Sequence, residues 1–351
     1  MSAPASAPVN QAIYPWQASA WDQLQQLRAR MPHAILFHGA AGTGKADFIE
    51  HFAKSLLCEN AGAGGHACGA CVSCNWFDQQ NHPDYRRVRP EALEDEPAGE
   101  EGDGEGEGKK AAKTKAPSKE IKIEQIRSLA DFMNISTHRQ GLRVVVLYPA
   151  EALNMPASNA LLKTLEEPPP GTVFLLSSNS LDRLLPTILS RCRKFSLPMP
   201  GHDEALAWLK AQGVSDADSW LREQGGAPLA ALAQSEAGSR EDMDTLLQML
   251  ANPGVEAALR AADKMQKVPL AALVSWLQRW LYDLFSYKLS GNIRYYPRYR
   301  KELASLAGKV HVSKLMAAIK AANERRAIAD HPLSPKLFIE DMLLDYTACC
   351  T

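Results

Sequence analysis

The chain has 351 residues, 46% of them hydrophobic and 23% charged, with 39 Lys+Arg against 40 Asp+Glu for a net charge of −1. That composition excludes a wholly disordered chain and supplies enough apolar material for two or three domains. Taken alone, the near-zero charge also speaks against a strongly basic nucleic-acid binder. No run approaches 18 consecutive apolar residues, and Met1 to Asn10 shows neither a basic nor an apolar leader region. A cytoplasmic protein without a membrane span is therefore expected.

In chain order, Ala34-Ile35-Leu36-Phe37 is a short apolar run ending at Gly39, the pattern of a buried strand entering a phosphate loop. Phe48, Phe52 and Leu56 then recur every four residues and predict a helix with one buried face. Residues 91 to 108 carry nine acidic side chains, five glycines and no basic residue, and five lysines follow between Lys109 and Lys119. Such a segment buries too little apolar surface to offset chain entropy, so 91–120 reads as a disordered insertion in a surface loop. An acidic mimic of nucleic acid is the alternative. Without these residues the remaining chain has 34 basic and 30 acidic groups, a mildly basic body of +4. Whole-chain charge is thus no evidence against working beside DNA.

Ile121 to Asn134 reads as a helix, Val144 to Leu147 as a central strand, and Pro156 to Glu167 as a helix closed by Pro168. Thr172 to Leu176 and Lys194 to Leu197 are further strands. This alternation implies a parallel sheet covered on both faces. Beyond the linker at Pro198, Pro200 and Gly201 the strand signal fades. Helical patterns run from about Asp203 to Leu250 and resume after Asn252-Pro253-Gly254, where Leu270, Val274, Leu277, Leu281 and Leu284 form a core-facing stripe. Three units are expected: an α/β domain over 1–198, a small helical unit over 199–250 and a helical bundle over 251–351.

Gly39-Ala40-Ala41-Gly42-Thr43-Gly44-Lys45-Ala46 fits G-x-x-x-x-G-K-[ST] except at the last position. Gly39, Gly42, Thr43 and Gly44 would close backbone N–H groups around phosphate oxygens, and Lys45 would reach the outer phosphates. The final hydroxyl binds Mg²⁺ in such loops, and Ala46 has none. The second strand is equally incomplete. Val144-Val145-Val146-Leu147 runs into Tyr148-Pro149 where an Asp-Glu pair would hold metal and position water, and Glu151 is expected to point elsewhere. ATP or ADP binding stays open, and Mg²⁺-dependent hydrolysis is not expected.

Four cysteines follow as Cys58-x9-Cys68-x2-Cys71-x2-Cys74. Thiolates at this spacing bite one tetrahedral Zn²⁺, and four protein ligands leave no open position, so a structural zinc is expected. A redox C-x-x-C needs only two thiols, disulfides do not suit the inferred compartment, and the Cys-Pro of ferredoxin-like clusters is absent. His66 and His82 are spare ligands. Cys192 reads as a small core residue and Cys349-Cys350 as frayed terminal thiols.

The run Ser158-Asn159-Ala160-Leu161-Leu162-Lys163-Thr164-Leu165-Glu166-Glu167-Pro168-Pro169, with Ser190-Arg191-Cys192 downstream, closely resembles the bacterial clamp-loader branch of the AAA+ ATPases. The resemblance spans nearly the whole chain and implies an AAA+ P-loop domain, a helical lid and a helical collar in that order. It also implies a zinc module after the first helix. Within that branch, Ala46, Tyr148-Pro149, and Leu229 where a lid arginine would fall in Gly226-Ala227-Pro228-Leu229-Ala230 match the stationary, non-motor member. Tyr14-Pro15-Trp16 and His82-Pro83-Asp84-Tyr85 agree with it.

The resemblance then assigns Arg191 as an arginine finger acting in trans on ATP held by a neighbouring subunit. The implied partners are motor subunits (gamma/tau), a delta subunit, and, through the hetero-oligomer, a sliding clamp and primed DNA, with no membrane. The chain would be a non-catalytic part of a DNA-directed DNA polymerase (nucleotidyltransferase) holoenzyme. Two rivals are a weakly active AAA+ motor of the same complex and a free-standing zinc-dependent nucleic-acid binder. The segment Arg294-Tyr295-Tyr296-Pro297-Arg298-Tyr299-Arg300-Lys301 can stack bases and neutralise phosphates, but reads more simply as packed collar surface.

Overall fold

The computed structural model describes residues 13–94, 117–134, 137, 141–237, 240–329 and 334–350. The chain divides into two compact units, Met1–Pro200 and Gly201–Thr351. The order is α/β and then all-α, as the sequence pattern predicts. No helix among the described residues is long and apolar enough to cross a membrane.

The first unit contains α1 (Ala18–Arg28), β1 (Ala34–His38), α2 (Lys45–Leu57), α3 (Val72–Asp78), β2 (Tyr85–Val88) and α4 (Ile123–Asn134). It continues with β3 (Arg143–Leu147), α5 (Met155–Glu166), β4 (Thr172–Ser178), α6 (Pro186–Arg191) and β5 (Arg193–Ser196). The strands form one sheet in the order β2-β3-β4-β1-β5, every pair parallel. Alternate residues of each strand feed opposite faces. Ile35, Phe37, Val144, Val146 and Leu175 pack with Trp21, Phe48 and Phe52 from α1 and α2. Leu36, Val145, Leu147, Phe174 and Leu176 pack instead with Ile126, Leu161, Leu165 and Ile188 from α4, α5 and α6. Because both faces are buried, β1, β3 and β4 read as continuous apolar runs and are visible in the sequence.

β2 is not. Tyr85-Arg86-Arg87-Val88 lies at the sheet edge, where two arginines are tolerated. Between β4 and β5 the chain forms the short helix α6, started by Pro186. The acidic insertion is shorter than its composition suggests. Ala92 N donates to Ser118 O at 3.0 Å and Lys122 pairs with Glu91 at 2.7 Å, so the two ends of 91–120 are fastened together. Residues 95–116 lie outside the described residues, and the disorder expected there with them.

The second unit contains α7 (His202–Ala211), α8 (Ala217–Glu223) and α9 (Pro228–Glu236), followed by α10 (Arg240–Ala251), α11 (Val255–Lys264) and α12 (Leu270–Ser290). It ends with α13 (Arg300–Lys309), α14 (Val312–Ile328) and α15 (Pro335–Cys350). Ala205, Leu209, Trp220, Leu221 and Ala231 make a small core from α7–α9. Met243, Leu246, Leu247 and Leu250 of α10 join the larger core of α11–α15 instead. Packing therefore draws the division between the helical groups ahead of α10, not at 250. In the larger core the Trp280 indole donates to the Tyr346 hydroxyl at 2.8 Å, which donates to Leu250 O at 2.7 Å, so both buried polar tips are satisfied. Cys349 is buried in this core rather than frayed, because α15 runs to Cys350.

Candidate functional sites of the α/β unit

Gly39 to Ala46 lies where the sequence places it, between β1 and α2 at the carboxyl edge of the sheet. The glycines are sterically required. A Cβ on Gly39 would sit 2.2 Å from Leu197 O, and Gly44, the N-cap of α2, has φ +81° with its open side against the Tyr14 ring. The segment before α1 covers the loop. Gln17 Nε2 donates to Thr43 O (3.0 Å) and Gly44 O (2.9 Å), Trp16 Nε1 to Thr43 O (3.0 Å), and Tyr14 Oη to Asp47 Oδ2 (2.8 Å). Thr43 Oγ1 and Lys45 Nζ both donate to Ala40 O, at 3.0 and 2.5 Å. The cation that would reach a phosphate is thus folded onto its own loop and buried, and that burial pulls its pKa down to about 8.

At the end of β3, Tyr148 turns under α2 and donates to Glu50 Oε1 at 3.2 Å, while Tyr85 of β2 donates to the other Glu50 oxygen. Burial pushes the Glu50 carboxyl up. The position where a metal-binding acid would stand is therefore an aromatic core contact. Glu151 departs from expectation. Its charge acts on Lys45, one carboxylate oxygen accepts from Asn179 N at 3.0 Å, and the other is buried with no hydrogen-bond partner in the described structure. The short 3-10 turn Ala150–Ala152, hidden in the sequence behind Tyr148-Pro149, swings Glu151 back toward the loop.

The far end of α2 carries the thiols. Cys58 caps the helix, Cys71 is the N-cap of α3, and the Sγ atoms of Cys58, Cys68, Cys71 and Cys74 all lie within 4.8 Å of one another. The Cys58–Cys71 and Cys68–Cys74 separations are both 4.0 Å. Tetrahedral Zn–S bonds of about 2.3 Å require sulfurs about 3.8 Å apart, so the donor set fits that ion. Backbone N–H groups point at the sulfurs: Cys68 N to Cys58 (3.2 Å), Cys71 N to Cys68 (3.4 Å) and Cys74 N to Cys71 (3.4 Å). N–H donation from Ala70 and Cys71 draws the Cys68 pKa down to about 6, whereas burial pushes Cys58 and Cys74 up.

Neither spare histidine belongs to the cluster. His66 stacks on Trp21 (4.4 Å, 5°) and meets His51 at 2.9 Å. His82 accepts from Asp84 N at Nδ1, which leaves Nε2 to donate to Ser73 Oγ at 2.7 Å. Ser73 in turn donates to Leu57 O at 2.6 Å, and Lys54 pairs with Asp78 at 2.6 Å, so α3 is bolted to the end of α2.

Arg191 ends α6. Its Nη1 donates to Thr187 O at 2.9 Å and its Nη2 pairs with Glu166 at the end of α5. The side chain keeps 31% of its exposure. Cys192 beside it is buried, its thiol pushed up to about 11 by burial. In the second unit the Arg294–Lys301 segment is committed to packing. The buried Asp283 carboxylate accepts from the backbone N–H groups of Arg294, Tyr295 and Tyr296 at 2.7–3.1 Å, and Arg298 pairs with Asp244 and Glu223.

A family model described as DNA polymerase III, delta subunit, matches residues 16–200, and its C-terminal counterpart matches 240–348. Similarity to the delta' subunit of DNA polymerase III reaches 37% identity in Pseudomonas aeruginosa, over 79% of this chain and 79% of that protein. The chain belongs to the DNA polymerase III delta' family. The Escherichia coli delta' subunit is 31% identical over 77% of this chain and 75% of its own length, and that of Haemophilus influenzae 29% over 79% of each. A Bacillus subtilis tau subunit is 24% identical over 90% of this chain and 45% of its own length. Family membership accounts for the α/β unit and the C-terminal helices together, since the two matched spans fall on them.

Proposed function

We propose that the chain is the stationary delta' subunit of a bacterial clamp loader. In that role it helps ATP-dependent loading of a sliding clamp onto primed DNA, with Arg191 acting in trans on ATP held by a neighbouring gamma/tau motor subunit. The observation that carries this reading is a contrast within one domain. The phosphate loop is covered by Tyr14, Trp16 and Gln17 and its lysine is turned inward, while Arg191 remains partly exposed at a helix end. A guanidinium so placed can stabilise charge on a transferring phosphoryl group, an effect worth about 10³–10⁵ in rate. The proposed complex is cytoplasmic and also holds a delta subunit, and the four thiols hold one structural zinc. The ion locks the loop between α2 and α3 and takes no part in phosphoryl chemistry.

The test is reconstitution with the motor and delta subunits. Arg191→Ala should leave the complex assembled and abolish hydrolysis at one ATP site, a loss of about 10³-fold or more there, read as one fewer ATP in the single-turnover burst. An unchanged burst refutes the assignment. A second reading, a weakly active motor, is favoured by Glu151, whose charge acts on Lys45. ATP turnover by the isolated chain, lost in Lys45→Ala and Glu151→Gln, would establish it.

A further inference from the structure

Arg191 is held from two directions. Thr187 O, one turn back in α6, takes Nη1 at 2.9 Å, and Ser190 Oγ lies 3.4 Å from the same nitrogen. Glu166, from a different helix, takes Nη2. Anchors at both ends of a planar guanidinium fix its plane as well as its position, which a single contact cannot do. The second N–H of Nη2 and the Nε–H are outside these contacts, so the anchored group still has donors to offer an anion. Glu166 itself stands on stiff ground. It is the last residue of α5, Glu167 N closes the helix on Lys163 O at 3.2 Å, and Pro168, Pro169 and Pro170 follow.

From this geometry we infer that Glu166 is a positioning residue for Arg191, orienting the guanidinium for the phosphoryl group of the adjacent subunit. The inference rests on the trans role proposed above. An arginine with four rotatable bonds loses much side-chain freedom on binding a phosphate. Holding it beforehand removes part of that cost from the reaction. Glu166 is half exposed and Arg191 a third exposed, so solvent screens the pair and its hold on the guanidinium is modest. A positioning contact of this strength should change the rate modestly and act only through Arg191.

The experiment compares Glu166→Ala, Glu166→Gln, Arg191→Ala and the double variant Arg191→Ala/Glu166→Ala in the reconstituted loader, with ATP and primed DNA. Glu166→Ala is expected to lower kcat about fivefold with the KM for ATP unmoved, the rate equivalent of one exposed ion pair. Glu166→Gln, which keeps an acceptor oxygen, should lose less. In the Arg191→Ala background Glu166→Ala should have no further effect. If Arg191→Ala slows hydrolysis and Glu166→Ala does not, or accelerates it, the inference fails and the trans role stands. An equal loss from Glu166→Ala with and without Arg191 shows a purely structural contact and also overturns it. If Arg191→Ala itself is silent, both readings fall.

Discussion

The two ends of helix α2 teach different lessons. At its N-terminus the sequence writes seven of eight positions of a phosphate loop, and protein groups fill the place: Gln17 caps two loop carbonyls and Lys45 binds Ala40 O. At its C-terminus Cys58 meets three other thiols whose sulfurs face one another, with backbone N–H groups aimed at them. Both ends carry a motif. Only at the second do the donor atoms converge on one point between them. A motif marks where ligand chemistry is possible, and the direction of the side chains decides whether the fold has kept room for it.

The sharpest way to break this contrast is at the thiols. Cys74 is 1% exposed, so Cys74→Ser places a hydroxyl among sulfurs and removes one of four ligands. The purified chain should carry about one zinc, and the variant less than half of that by atomic absorption. Thermal unfolding of the α/β unit should drop by about 3 kcal/mol or more, the class of loss that follows removal of a structural metal. A chelator should reproduce it in the wild type. Equal stability with and without metal would make the two ends of α2 equivalent.

A smaller effect is expected at the other end. Gln17 is 2% exposed and bridges Thr43 O, Gly44 O and the Tyr14 N–H. Gln17→Ala leaves Gly44 O without this buried donor and opens a small cavity, together costing about 2 kcal/mol in denaturant unfolding. The same variant tests whether the cover excludes nucleotide. Tighter binding of a fluorescent ATP analogue than in the wild type would show that the loop keeps its phosphate geometry beneath the cover. Unchanged binding would show that the loop itself has lost it.

How much of this was legible in the sequence differs along α2. The strands at Ala34, Val144 and Thr172 announce themselves because burial on both faces leaves no polar position to confuse the pattern. The thiols are legible because metal geometry constrains spacing directly. β2 is hidden, since an edge strand can carry Arg86 and Arg87. The cover over the phosphate loop is hidden for another reason. Its contacts join residues 26 to 33 positions apart through side-chain hydrogen bonds, which leave no periodicity. The effect of Glu151 on Lys45 is hidden for a related cause, since it sits in a three-residue turn after β3 that no sequence pattern marks. Arg191 stands out in the sequence by the Ser190-Arg191-Cys192 motif, and Glu166, in the separate run from Ser158 to Pro169, gives no signal there that the two pair.

The middle of α2 links its ends, and there the expected effect is smallest. His51 lies against Trp21 and meets His66 at 2.9 Å, so the helix is tied to the loop between Cys58 and Cys68 by a contact between two imidazole rings. Burial, with smaller contributions from His66 and Lys54, lowers the His51 pKa from 6.5 to about 4. A histidine whose folded pKa lies below its unfolded value binds its proton first in the unfolded chain, so its contribution is complete above about pH 6.5 and declines as pH falls toward 4. Solvent at this partly exposed site screens the effect to about 1 kcal/mol. Removal of the titrating ring in His51→Gln should flatten the stability curve in that window. Because acid also releases metal from thiolates, both proteins are measured with saturating zinc, and the difference between their curves isolates His51. Parallel curves would mean that His51 carries no proton linkage and that the two ends of the helix respond to acid independently.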